Sequence, residues 1–121
     1  MSRPRSLDRA GVARAAPVFA ALGDATRLTI VARLCTEGPL SIATLSDGAE
    51  VTRQAVTKHV HALVRAGLVR RAPVRGARTR AWELAPRRFD DARRYLDLIS
   101  SQWDDALERL RAHLGERDGS Q

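Results

Sequence analysis

Residues 52–69, TRQAVTKHVHALVRAGLV, decide how this chain folds. Val56, Val60, Leu63 and Val64 recur at i, i+4, i+7 and i+8, the apolar stripe of an amphipathic helix. Thr52 stands where a capping hydroxyl is wanted, and Gly67 stands where the chain must turn out of the helix. Arg53, Gln54, Thr57, Lys58 and His61 fall away from the stripe. Just upstream, Ser41 is positioned to cap a shorter helix holding Ile42 and Leu45, which Asp47-Gly48 ends. Two short helices around a tight turn, the second carrying polar and basic side chains outward, make a helix-turn-helix outline.

The flanks extend this outline. Residues 7–21 form an Ala-rich helix, apolar at Val12, Ala15, Ala16 and Phe19, with Pro17 as a kink or boundary. Asp24 caps a second helix with Leu28, Val31 and Leu34 at helical spacing, stopped by Gly38-Pro39. Beyond Gly67, residues 68–71 and 80–84 alternate in the β manner around a turn at 75–78, a basic hairpin of the kind called a wing. A last helix runs from Pro86 to about Leu114. The expected fold is mainly α with a small β-hairpin, a winged helix-turn-helix of four helices, two strands and a fifth helix. Residues 7–115 form the domain, and 1–6 and 116–121 are expected to be disordered tails.

Composition narrows the function. The 121 residues suit a single domain, and only 4% are aromatic, which favours helical packing over a strand-rich sandwich. The net charge of +7 is unevenly placed: 1–51 carry +1, 52–88 carry +9 and 89–121 carry −3. A central segment with more than the whole net charge reads as an electrostatic footprint for a polyanion, double-stranded DNA above all. The lone Cys35 rules out an internal disulfide and a Cys-rich zinc site. No apolar run is long enough to span a bilayer and MSRPRSLDR lacks a secretory signal's apolar stretch, so a cytoplasmic location is expected.

Phe89, Ala92, Leu96, Ile99, Trp103, Leu107, Leu110 and Leu114 recur at intervals of three and four, close to a heptad seam. The stripe is longer than one subunit of short helices can cover, and the Trp103 region would otherwise expose an apolar patch. A homodimer through Leu96, Ile99, Trp103, Leu107 and Leu110, with Phe19 of the first helix, is therefore expected. Two copies of one reading helix related by a two-fold axis suit paired DNA half-sites.

Three landmarks, Asp24-x-Thr26-Arg27-Leu28, Lys58-His59-Val60-x-x-Leu63 and Ala66-Gly67-Leu68-Val69, together resemble the ArsR (ArsR/SmtB-like) family of bacterial winged-helix transcriptional regulators. The tail, with Trp103, Ala106, Leu107, Arg109 and Leu110, is similar to the W-x-x-A-L-x-R-L pattern of a non-metal-sensing branch. The resemblance implies a homodimeric repressor on a palindromic operator. It also shows departures from the metal sensors. Leu40-Ser41-Ile42-Ala43 replaces a Cys-x-Cys stretch, and Asp90 and Asp91 have no histidine near them before His113. No metal site and no cofactor are expected.

The expected DNA-binding residues are Thr52, Arg53, Gln54, Thr57, Lys58, His59 and His61, with Arg75, Arg78 and Arg80 on the wing. Arg suits guanine O6/N7, Gln suits adenine N6/N7, and Lys58 acts mainly as a phosphate clamp. His59 belongs to the family's reading-helix motif, where packing and a DNA hydrogen bond are both open, and Arg27 is expected to be structural. No nucleophile or carboxylate stands at a spacing that would build a triad around either histidine, and no phosphate loop is present, so no catalytic residue is assigned. The alternatives are a winged-helix protein-interaction module without DNA binding and a redox-responsive regulator using Cys35. A small-molecule effector is open, with an apolar pocket at the dimer interface the first place to look.

Overall fold

The computed structural model describes residues 9–73 and 80–119. Its elements run α1 (Arg9–Leu22), α2 (Ala25–Glu37), β1 (Leu40–Ser41), α3 (Ile42–Ser46), α4 (Arg53–Arg65), β2 (Val69–Arg71), β3 (Ala81–Leu84) and α5 (Pro86–Gly119). Each cap read from the sequence is in place. Asp24 Oδ1 accepts from the Arg27 amide at 3.0 Å, Ser41 Oγ from the Thr44 amide at 3.1 Å, and Thr52 Oγ1 from the Ala55 amide at 3.1 Å. Each satisfies one of the amide donors that a helix leaves orphaned at its start.

The exit from α4 is equally specific. Gly67 adopts φ +79°, its amide donates to the Val64 carbonyl at 2.9 Å, and the Leu68 amide reaches back to the Leu63 carbonyl at 2.9 Å. This pair of bonds is a Schellman ending, which turns the chain into β2. A Cβ at Gly67 would meet Cγ of Arg88 at 2.8 Å, so the position also lets the start of α5 lie close to the end of α4.

One core joins all these elements. Val18, Ile30, Val31, Leu34, Leu45, Val56, Val60, Leu63, Leu68, Val69, Trp82 and Ala92 are buried and contiguous. The α4 stripe is therefore Val56, Val60 and Leu63, while Val64 is more than a third exposed. In α2 the buried face is Ile30, Val31 and Leu34, and Leu28 turns outward at 52% exposure. In α1 Ala15 and Val18 are buried, Val12 is exposed, and Phe19 is partly buried against the core. Pro17 lies inside α1 rather than ending it.

The sheet is larger than the expected hairpin. Strand β3 is central, antiparallel to β2 (Val69↔Leu84, Arg70↔Glu83, Arg71↔Trp82) and to β1 (Leu40↔Trp82, Ser41↔Ala81). The two-residue β1 just before α3 ties the helix-turn-helix to the wing; it is too short to leave a periodic trace in sequence. At the other end, α5 continues to Gly119, past the expected stop near Leu114. Its early residues Phe89 and Ala92 join the core, and α1 lies alongside it.

Candidate nucleic-acid interface

Helix α4 is held by its apolar stripe against α2 and α3, which leaves the opposite face to solvent. Gln54, Lys58 and His61 follow one another at i, i+4 and i+7 on that exposed face, and Arg53 is exposed at the helix start. Thr52 uses an oxygen lone pair to accept from the Ala55 amide, so its hydroxyl proton is left for an outside acceptor. Thr57 differs: its hydroxyl donates to the Arg53 carbonyl at 2.9 Å, which commits its proton within the helix.

The two histidines separate. His61 lies on the outer face with its ring edge-on to Trp82, centroids 6.1 Å apart and planes at 67°, which steadies it against the base of the wing. His59 turns inward to the start of α2, with Nδ1 3.4 Å from Nη1 of Arg27 and 4.0 Å from Oδ1 of Asp24. Its side chain is 22% exposed and faces Arg27 and Asp24. Arg27 is the hub: Nε donates to the Ala21 carbonyl at 2.6 Å and Nη2 to the Ala20 carbonyl at 3.4 Å, closing the end of α1. The Arg27 amide, more than any other group, holds the Asp24 carboxyl below its ordinary value, with further help from the nearby His59 and Arg27 charges.

A second arginine anchors the turn. Arg33 pairs with Glu37 at 2.8 Å and donates to the Thr44 and Leu45 carbonyls near the end of α3. That pairing lowers the Glu37 carboxyl and raises the Arg33 guanidinium. A cavity of about 530 Å³ opens between α2 and the α3–α4 turn, bordered by Thr26, Ile30, Arg33, Leu45 and Val51.

On the wing, Arg70 is paired with Glu83 at 2.8 Å across the strands, so part of the hairpin's charge is already compensated. Arg71 and Arg80 are exposed. Arg75 and Arg78, at the expected tip, lie outside the described residues. The expected seam residues form an exposed row on α5: Leu96 at 49%, Ile99 at 41%, Trp103 at 64% and Leu110 at 52%, joined by Leu114 at 49%. Leu107 is half-buried, and Phe19 already packs on its own core.

Cys35 is exposed on α2 rather than packed inside, and among the described residues no group of three His, Cys, Asp or Glu side chains could hold a metal ion. Among the same residues no single helix is long and apolar enough to cross a membrane.

A family model described as a helix-turn-helix domain matches residues 22–72, from the end of α1 to just past β2. Among solved structures, the chain is similar to an ArsR-like transcriptional regulator from Rhodococcus sp. RHA1, with 29% identity and a TM-score of 0.75 over 91% of this chain and 98% of that one. It is also similar to HlyU from Vibrio cholerae N16961, with 28% identity and a TM-score of 0.57 over 64% of this chain and 82% of that one. A third likeness is to a possible transcriptional regulator for arsenical resistance, with 29% identity and a TM-score of 0.57 over 78% of this chain and 93% of that one. No curated protein matches.

Proposed function

We propose, from its likeness to an ArsR-like transcriptional regulator and its helix-turn-helix match, that this chain is a winged helix-turn-helix regulator of that kind, which represses transcription by binding a palindromic operator as a homodimer in the cytoplasm. The observation that carries this reading is the division of α4 into two faces, with Val56, Val60 and Leu63 buried and Gln54, Lys58 and His61 exposed beyond a capped, basic start. Gln54 and Arg53 read base edges in the major groove. Thr52 and Lys58 grip phosphates, and Arg80, with Arg75 and Arg78, follows the backbone beside it.

The exposed α5 row supports the dimer. Leu96, Ile99, Trp103, Leu110 and Leu114 are spaced 3, 4, 7 and 4 apart, which keeps them on one side of a helix about 51 Å long. Pairing two such rows covers apolar surface that a monomer leaves in water and sets the two reading helices at a fixed separation.

The test is selection of bound fragments from the source genome, followed by polarisation assays at two salt concentrations. Binding to a palindromic fragment should be far tighter than to random duplex and should weaken steeply with salt as counterions are released. Equal, weak binding to every sequence would overturn the reading.

A further inference from the structure

A second concavity, of about 290 Å³, lies where α1, the C-terminal end of α4 and the first turn of α5 meet. Three arginines from three different elements border it: Arg14 of α1, Arg65 of α4 and Arg88 of α5. Pro17, Val18 and Gly67 supply an apolar floor. Arg88 is held over that floor because Gly67 has no side chain, its Cγ standing 2.8 Å from where a Cβ would be.

The charges here are only partly compensated. Arg88 pairs with Asp91 at 3.7 Å, but among the described residues neither Arg14 nor Arg65 has an ion-pair partner. The first turn of α5 contains no acidic residue, so Arg87 and Arg88 sit at the positive end of a 34-residue helix. Three arginines bordering one small hollow favour an anion there, and guanidinium is the side chain best matched to carboxylate and phosphate geometry.

We propose that this concavity binds a small free oxyanion, a molecule bearing a phosphate or a carboxylate, through Arg14, Arg65 and Arg88. The hollow lies just below the usual range for ligand sites, about 300–1,000 Å³, which suits a molecule this small. It also lies about 18 Å along α4 from Arg53, at the end of the helix away from the base-reading residues. The proposal concerns binding to the protein alone and does not depend on the DNA reading.

The experiment titrates the full chain, without DNA, with sodium phosphate and separately with sodium malonate, against sodium chloride at matched ionic strength. It is followed by calorimetry and by the amide resonances of Ala66, Gly67 and Arg88. Saturable binding of phosphate identifies the phosphate form and of malonate the carboxylate form; either supports the site if those resonances move. Arg14→Gln and Arg65→Gln, at exposed positions whose loss leaves the core intact, should each weaken binding by about tenfold or more. Arg111→Gln, on the far part of α5, should leave it unchanged. Shifts that chloride reproduces, or that survive the Arg14 and Arg65 changes, overturn the proposal. So would weakened duplex binding in those variants with no free-anion binding in the parent protein.

Discussion

Nδ1 of His59 lies 3.4 Å from Nη1 of Arg27, joining α4 to the start of α2 across 32 residues of sequence. Arg27 meanwhile donates to the Ala21 and Ala20 carbonyls, so one guanidinium ties α1, α2 and α4 together. This corner is one of the polar contacts that fix α4 against α1 and α2.

Replacing Arg27 by Ala should destabilise the protein by about 1–3 kcal/mol, because it strands the Ala21 carbonyl and removes the imidazole's partner. Arg27→Lys should recover only part of the loss, since an ammonium cannot serve the carbonyls and the imidazole with a planar fork. Urea denaturation measures both; an Ala variant as stable as the parent would show that the corner is not a joint.

Asp24 gives a pH dependence with a definite sign. Its carboxyl is held below its ordinary value near 3.8, chiefly by the Arg27 amide, so the ionised form is favoured in the folded state. The stability this contributes is present above the unfolded value and is lost as pH falls through the folded one. Asp24→Asn keeps a capping oxygen and removes the charge. The stability gap between parent and variant should close as pH drops below about 4. A gap that persists or widens below that pH would contradict the assignment.

Gly67→Ala should cost about 1–2 kcal/mol, the penalty for placing a side chain at φ +79°. Adding Arg88→Ala removes the overlapping side chain and leaves the backbone penalty, so the double variant should stay below Arg88→Ala alone by nearly that amount. Complete recovery in the double variant would mean that the close approach, and not the left-handed turn, explains this glycine.

Base reading and phosphate gripping should separate on α4. Gln54→Ala should relax base preference at one operator position by about 1–3 kcal/mol. Lys58→Ala should weaken all sequences alike and lower the slope of log affinity against log salt by about one. Polarisation titrations on matched and single-base-changed duplexes read both; interchanged behaviour would move the base contact to Lys58.

Polar substitution of the α5 row tests assembly. Ile99→Glu with Trp103→Glu should give a folded monomer by light scattering and circular dichroism, because both side chains are exposed in the single chain and outside its core. Operator affinity should then fall sharply, since one reading helix no longer brings its twin. A variant that remains dimeric would place the interface elsewhere.

The sequence alone determined what is carried by neighbours along the chain. The caps at Asp24, Ser41 and Thr52, the exit at Gly67, and the i, i+4, i+7 stripe of α4 act over three to seven residues and can be read directly. The alternation of the wing strands and the row on α5 were legible for the same reason. Only the tertiary structure decided which of two nearby histidines faces inward, because His59 and His61 differ by where Arg27 and Trp82 stand, not by any local signal. It also decided that Leu40 pairs with Trp82, that Phe19 lies on its own core, and that Leu28 does not. Such choices rest on contacts between segments tens of residues apart, whose geometry exists only once the helices have docked.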